Sequence, residues 1–201
     1  MSTKNKYSLI VLAAGESTRF GENKLLFKIE GKSIIRRVIE ECSLEGLEIV
    51  VVTGHEKDKI MEELKGTNAV FVYNPQYHEG GMSSSIKAGI AYASPLKAYL
   101  ITPGDMPYLS GWICRRIIEE HERTGRRIIV PTFEGRGGHP ILVDASLREE
   151  LLGISEESKG LKGFLSKHEK EIHRVELGTS RILIDIDYRE DVVNRKPIDR
   201  P

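Results

Sequence analysis

The sequence predicts an α/β fold in which helices cover both faces of one mostly parallel sheet. Apolar, β-branched runs of strand length alternate with helix-period stretches in the earlier part of the chain, which is typical of parallel strands joined by crossover helices. Most of these runs are apolar throughout, as in strands buried on both faces. After Val130 two strand-like runs flank a glycine-rich loop with no room for a helix, which indicates a late antiparallel hairpin.

The predicted elements follow one another in a simple order. Strands are expected at residues 8–13, 48–53, 69–73, 98–102, 127–130, 141–143 and 181–187. Helices are expected at residues 33–42, 57–64, 84–93, 111–124, 146–152 and 161–170. Residues 1–193 should form one domain, and the polar, proline-containing residues 194–201 should form a flexible tail.

Composition and charge exclude several classes of partner. The 201 residues suffice for one core, and thirty basic residues offset thirty acidic ones, so no bulk positive field could hold nucleic acid or an anionic membrane. The apolar run at residues 9–14 is too short for a signal peptide or a membrane span. Cys42 and Cys114 are too few for a disulfide framework or a zinc site, which favours a reduced, cytoplasmic setting.

Polar residues follow the predicted strands rather than precede them. In open α/β sheets, ligands bind where parallel strands end at their carboxyl edge. The segments that follow the strands are Gly15, the TGH of residues 53–55, Asn74 with Pro75, the PGDMP of residues 103–107, and the DID of residues 185–187. The sequence therefore predicts one functional edge of the sheet.

The loop after the first strand predicts a phosphate site. Its spacing fits neither the P-loop nor the dinucleotide G-x-G-x-x-G pattern. The small residues Ala13, Ala14 and Gly15 let the backbone approach a ligand, and glycine can turn N–H groups toward an anion. Arg19 and Lys24 supply positive charge for phosphate oxygens. An ordinary strand-to-helix turn with solvated cations is the alternative.

Asp105 is the first candidate metal ligand, because the prolines around it fix a turn at the end of a strand. Mg²⁺ typically takes one or two carboxylates together with water and phosphate oxygens. Asp187 or Asp185 could supply the second carboxylate ligand, since alternation along a strand places both side chains on one face of that strand. The alternatives are that Asp105 caps the following helix and that the other two face solvent.

Three serines, Ser83, Ser84 and Ser85, follow two glycines and precede a predicted helix. One serine should cap the helix, while its neighbours present hydroxyl and N–H groups to a base or ribose. Thr53 and Asn74 lie at neighbouring strand ends and are further candidates for nucleoside contact, unless they only terminate their strands.

These motifs together resemble those of a known enzyme family. LAAGESTRFGENKLL is similar to the signature L-A-A-G-x-S-x-R-x-G-x-x-K of nucleotidyltransferases of the MobA-like type. GGMSSSIKAGI, PGDMP and GGHPILV resemble the molybdenum cofactor cytidylyltransferase branch, as does LIDIDYREDV, although Tyr188 and Arg189 stand where Thr and Pro are usual. The matches extend over about residues 8–192.

The resemblance implies a Rossmann-like fold of the nucleotide-diphospho-sugar transferase type and an Mg²⁺-dependent reaction. CMP would pass from CTP to a phosphorylated acceptor, molybdopterin, with release of pyrophosphate. It implies catalytic roles for Arg19, Lys24 and Asp105, and Asp187 as the second metal ligand. Nucleotide contacts would come from Arg19 and Lys24 and from Leu12, Ala13, Ala14, Gly15, Thr53, Asn74, Ser83, Ser84, Ser85, Pro103 and Gly104.

His139 and Lys162 are the candidate acceptor-binding residues, since the family places their regions near the acceptor. Alternatively, His139 is a packed or capping residue, and Lys162 is a solvated lysine on a helix. For the whole protein, the alternatives are a guanylyltransferase, a sugar- or alcohol-phosphate nucleotidyltransferase, or a non-catalytic module that holds a cofactor. A molybdenum enzyme is a candidate protein partner, whereas nucleic acid and membrane are not expected.

Overall fold

The computed structural model of the protein describes residues 6–200. Its strands are β1 (Tyr7–Ala13), β2 (Lys28–Ile29), β3 (Lys32–Ser33), β4 (Leu47–Thr53), β5 (Val70–Tyr73), β6 (Ala98–Pro103), β7 (Ile128–Phe133), β8 (Arg136–Gly137), β9 (Ile141–Val143) and β10 (Ile172–Glu176). Its α-helices are α1 (Ile34–Glu41), α2 (Lys57–Glu63), α3 (Gly81–Tyr92), α4 (Gly111–Thr124), α5 (Arg148–Leu152), α6 (Gly160–Lys167) and α7 (Asp191–Asn194).

An eight-stranded mixed sheet forms the centre of the described chain. Its order is β10-β7-β9-β6-β1-β4-β5, with β8 paired to β7, while β2 and β3 form a separate hairpin. β1 lies between β4 and β6 and is parallel to both. In this register Ala13 faces Thr53, and Leu12 faces Pro103. The carboxyl ends of the three central strands therefore meet at one edge.

The late antiparallel hairpin is confirmed. β9 pairs antiparallel with β6 on one side and with β7 on the other, and β8 folds back on β7. The chain then turns at Gly138, where a Cβ atom would collide with the backbone of Ile182. Only glycine allows the hairpin to approach the C-terminal segment this closely.

Helices cover both faces of the sheet, as the sequence predicts. Because side chains alternate along a strand, Leu9 and Val11 pack in one buried cluster and Ile10 in the other. The first cluster also receives apolar residues of α1, α2 and α4, and the second receives those of α3, α5 and α6. Among the described residues, no helix is long and apolar enough to cross a membrane.

The predicted last strand at residues 181–187 is wrong. Residues Ser180–Leu183 form a 3₁₀ turn, and the chain continues to Asp187 without joining the sheet. Ile182, Ile184 and Ile186 are all buried in the first core cluster, so their alternation reflects packing rather than strand pairing. The edge position belongs to β10, which pairs parallel with β7.

Helix packing brings Cys42 and Cys114 together, although they are distant in sequence. Cys42 ends α1 and Cys114 lies in α4; both thiols are free and buried. A hydrogen bond with the Cys114 thiol, together with burial, raises the pKa of Cys42 well above its ordinary value. Both thiols belong to the core, and the raised pKa keeps Cys42 in its unreactive thiol form.

The C-terminal tail lies against the segment that follows β10. Asp199 accepts a hydrogen bond from Thr179 Oγ1 at 2.6 Å and pairs with Arg181 at 2.9 Å. The backbone N–H of Arg200 donates to the Gly178 carbonyl at 2.6 Å. The flexibility of residues 194–201 stays a prediction, as does the domain boundary at residue 193.

Candidate active site

The loop that follows β1 crosses the carboxyl edge of the sheet. The neighbouring strand ends hold its start: Gly104 N–H donates to the Leu12 carbonyl at 2.9 Å, and His55 N–H donates to the Ala14 carbonyl at 3.1 Å. A Cβ atom on Gly15 would meet no protein atom within 4 Å, so the absent side chain leaves room for a ligand. Positive φ angles in this loop occur at Ser17 and Gly21 and not at Gly15.

Lys24 lies at the end of this loop and joins three distant parts of the chain. It begins a 3₁₀ turn, Lys24–Leu26, whose start is capped by the Asn23 side chain. Its Nζ lies 2.6 Å from Asp105 Oδ2 and 2.8 Å from Asp187 Oδ1. Because the Lys24 and Asp105 side chains are each only 16% exposed, water screens this cluster weakly.

The charges of the cluster shift one another's proton affinity. Burial acts to lower the pKa of Lys24, but Asp105 and Asp187 outweigh it and raise that pKa above its ordinary value. A hydrogen bond from Lys24 lowers the pKa of Asp187, and the Arg19 charge adds to the effect. Burial raises the pKa of Asp105 despite the attraction of Lys24. The ammonium form of Lys24 and the carboxylate form of Asp187 are thus favoured, whereas burial disfavours the charge on Asp105.

Asp105 has one oxygen left over for a cation. It lies two residues after the end of β6, and its Oδ1 is buried without a hydrogen-bond partner in the described structure. Asp187 is one-third exposed and also presents its carboxylate here. Within residues 6–200, no group of three or more His, Cys, Asp or Glu could hold a metal alone. The two carboxylates therefore fit an ion that takes its remaining ligands from water and phosphate.

A cleft of about 420 Å³ lies beside this cluster. Nine of the residues predicted from the sequence line it: Leu12, Ala14, Gly15, Arg19, Lys24, Ser85, Pro103, Asp105 and Asp187. Its volume falls in the range of small-molecule sites in proteins. Segments at the ends of β1 and β6, the start of α3 and the C-terminal segment thus meet at one cavity.

The other predicted residues lie outside the lining of this cleft. They are Ala13, Thr53, Asn74, Ser83, Ser84, Gly104, His139 and Lys162. Thr53 donates to the Val72 carbonyl at 3.3 Å. Asn74, which is 2% exposed, donates to the hydroxyls of Ser84 at 2.8 Å and Ser85 at 3.1 Å. These two residues shape the edge of the sheet instead of facing the cavity.

The three serines lie in the first two turns of α3, three to five residues after its cap, so the prediction that one of them caps the helix is wrong. Gly80 is the cap residue, and the Ser84 hydroxyl donates back to the Gly81 carbonyl at 2.9 Å. Ser83 N–H donates to Glu156 at 2.8 Å, so a carboxylate satisfies that end of the helix. Ser85 is the serine that reaches the cleft.

The two candidate acceptor residues lie apart from the cleft lining. His139 is half-buried, with its Nδ1 3.3 Å from the Ile101 carbonyl, and burial lowers its pKa. It is therefore a neutral imidazole near neutral pH. Lys162 is exposed on α6. Their part in acceptor binding stays a prediction.

Sequence reasoning missed several residues of the site. Ser17, Thr18, Phe20, Tyr77 and Met82 line the cleft. Nothing in the sequence distinguished these residues as part of a site, since hydroxyl and aromatic side chains are common throughout proteins.

The turn that follows Asp187 was also missed. Arg189 Nη2 lies 2.8 Å from Glu22 in the loop that follows β1, residues 14–23, which we call the phosphate loop after its predicted ligand. The guanidinium lies over the rings of Phe20 and Phe27 at 5.5 and 5.7 Å. The sign of this contact in the sequence is that Arg189 stands where the family motif usually has Pro. Arg189 ties the C-terminal segment to the phosphate loop.

A mostly parallel sheet with a basic loop and two carboxylates at its carboxyl edge is typical of α/β enzymes that bind phosphorylated ligands at that edge. The MobA-like NTP transferase domain matches residues 9–172. The chain belongs to the MobA-like NTP transferase family, and it is a nucleotidyltransferase.

Named relatives agree with this family. The chain is 28% identical over 192 residues to the molybdenum cofactor cytidylyltransferase of Escherichia coli K12, covering 93% of this chain and 94% of that one. A nucleotidyl transferase from Methanothermobacter shares 23% identity and a TM-score of 0.77, over 94% and 95% of the two chains. Rv0371c of Mycobacterium tuberculosis in complex with manganese shares 20% identity and a TM-score of 0.67, over 94% and 97%. The similarity to these two solved structures shows the fold alone.

Proposed function

We propose that this nucleotidyltransferase is an Mg²⁺-dependent cytidylyltransferase that moves CMP from CTP to molybdopterin and releases pyrophosphate. The observation that carries the proposal is the Lys24 ammonium held between Asp105 and Asp187, beside a cleft that Arg19 and Gly15 also line. The name of the Escherichia coli relative supports both CTP and the acceptor. The free, buried cysteines are consistent with a reduced, cytoplasmic setting.

The residues of the cleft act by binding and orienting. Arg19 and Lys24 hold the triphosphate, and the open backbone at Gly15 allows the nucleotide to approach. An oxygen of the acceptor phosphate attacks the α-phosphorus, forming one P–O bond. The bond from the α-phosphorus to its bridging oxygen breaks, and pyrophosphate leaves with that electron pair. Such transfers depend mainly on alignment and on neutralisation of charge.

Asp105 and Asp187 are the residues that would hold the metal ion. When bound, a divalent ion supplies positive charge that stabilises the phosphate oxygens. The unpartnered Asp105 Oδ1 supports this assignment, and manganese in the complex of Rv0371c supports the class of ion. His139 and Lys162 are proposed to meet the acceptor, and a molybdenum enzyme is the proposed downstream partner.

A pyrophosphate-release assay tests the proposal. The purified protein would be given CTP, GTP, UTP or ATP with Mg²⁺ or Mn²⁺, and molybdopterin or a panel of sugar and alcohol phosphates. We expect release with CTP and molybdopterin and little without the metal. Faster release with GTP would assign a guanylyltransferase, and faster release with a sugar or alcohol phosphate would assign that acceptor. No release with any pair would contradict the enzyme assignment.

A further inference from the structure

Asp191 has a nearly buried carboxylate without a part in the proposed reaction. It begins α7, and its side chain is 12% exposed. Its Oδ2 accepts hydrogen bonds from the backbone N–H of Asp187 at 2.9 Å and of Tyr188 at 2.8 Å. Its Oδ1 lies 2.9 Å from Nε of Arg195. One carboxylate oxygen thus binds the peptide group of Asp187 and the one that follows it.

These bonds matter because no strand holds Asp187 in place. Elsewhere at the edge, ladder hydrogen bonds fix the strand ends, but residues 184–190 lie outside the strands of the described chain. Ile186 N–H donates to the Asp105 carbonyl at 3.0 Å, which fixes the segment on one side of Asp187. Asp191 fixes it on the other side. Together with the hydrogen bond that Arg195 donates to the Asp185 carbonyl at 3.2 Å, these two attachments fix the backbone from which the Asp187 side chain projects.

We propose that Asp191 is a positioning residue that holds Asp187 in place against Lys24 and the metal site. The inference rests on the proposed function: its kinetic test needs the proposed reaction, whereas its metal-binding test needs only the proposed metal site. Asp191 acts through the peptide groups that it binds and not through contact with substrate. Its hydrogen-bond acceptor is therefore the essential feature, and its charge is secondary.

A matched set of variants separates positioning from folding. Asp191→Ala removes the acceptor, whereas Asp191→Asn keeps an oxygen for the two N–H groups and loses the ion pair with Arg195. Asp144→Ala is the control, because Asp144 likewise accepts a backbone N–H, from Ser146 at 2.9 Å, and pairs with a base, His121, at 3.2 Å. It lies outside the lining of the cleft. Asp191→Glu moves the carboxylate by one methylene and replaces the alanine variant if that one does not fold.

The kinetic readout is kcat for pyrophosphate release. We expect Asp191→Ala, or Asp191→Glu, to lower kcat about 10- to 100-fold, on the order found for misplaced active-site groups and for residues behind metal ligands. Asp191→Asn should retain most of the wild-type kcat, and the kcat of Asp144→Ala should stay within about twofold of the wild type. An Asp191→Asn variant as impaired as Asp191→Ala would overturn the proposal, because the Arg195 pair would then be the cause.

The second readout is Mn²⁺ binding without nucleotide, followed as the metal-induced rise in Tm. Asp191→Ala should raise the half-saturating Mn²⁺ concentration about tenfold, while Asp144→Ala should not change it. Equal midpoints in the two variants would overturn the proposal. If the wild type released no pyrophosphate with any substrate, the proposed function would fail, and these midpoints would still decide the role of Asp191.

Discussion

Among single residues, Lys24 has the largest expected effect on turnover. Lys24→Met keeps the apolar stem but removes the charge between Asp105 and Asp187. We expect kcat/KM for the nucleotide to fall by about 10²–10³, because a buried cation beside the transferred group is lost. The pyrophosphate-release assay measures this. Lys65→Met, at a side chain 77% exposed, is the control. Near-normal release by Lys24→Met would contradict the role of the cluster.

His139 gives the fold a pH dependence with a definite sign. Burial lowers its pKa in the folded state, so the unfolded chain takes up the proton first as the pH falls. Stability should therefore be complete above the ordinary histidine pKa of about 6.5 and decrease as the pH falls from there toward the folded pKa. His139→Gln should lose less Tm than the wild type between about pH 7.5 and 5.5. Identical pH profiles of Tm would disprove this prediction.

Among the elements, α3 is attached to the end of β5, and Ser85 near its start lines the cleft. Asn74 makes both hydrogen bonds to Ser84 and Ser85, and it is almost fully buried. Asn74→Ala should cost about 1–3 kcal/mol of unfolding free energy, since buried hydroxyls lose their donor. It should also raise KM for the nucleotide more than it lowers kcat. Urea unfolding and kinetics measure the two effects, with the exposed Asn68→Ala as control.

Elements with strong apolar patterns were predictable, and elements that depend on long-range packing were not. β1 and β4 are mostly apolar runs buried on both faces, so their sequence alone indicates a central position. β10 has one buried residue, Val175, because it lies at the sheet edge, and a weak apolar signal hid it. The alternation at residues 181–187 favoured a strand because local pattern cannot distinguish pairing from packing.

In the whole molecule, the carboxyl-edge rule predicted which segments would meet. The rule predicts that Gly15, Lys24 and Asp105 lie at one edge of the sheet, and the structure places them there. It could not choose between Asp185 and Asp187, because that choice depends on a turn outside the sheet. In the structure Asp187 contacts Lys24, whereas Asp185 pairs with Arg195 at 2.7 Å. Only the tertiary structure shows which of these two aspartates contacts Lys24.

Arg189 connects the C-terminal segment to the phosphate loop, so its removal tests cooperation across the molecule. Arg189→Ala loses the ion pair with Glu22 and the contacts with Phe20 and Phe27. At an exposed site these sum to about 1–2 kcal/mol, roughly a tenfold rise in KM for the nucleotide. Steady-state kinetics measure it. Arg174→Ala, which removes an exposed pair with Glu169, should leave KM unchanged; an equal rise in both would contradict the prediction.

The contact between Lys24 and Asp187 spans 163 residues, and that between Arg189 and Glu22 spans 167. Closing so long a loop is entropically costly, and it can occur only after both ends exist. During synthesis the phosphate loop leaves the ribosome long before its carboxylate and guanidinium partners. A nascent chain that stops short of Asp187 can form most of the sheet and still lack a competent centre. Activity should therefore arise abruptly, once the chain has been made beyond Asp187 and Arg189.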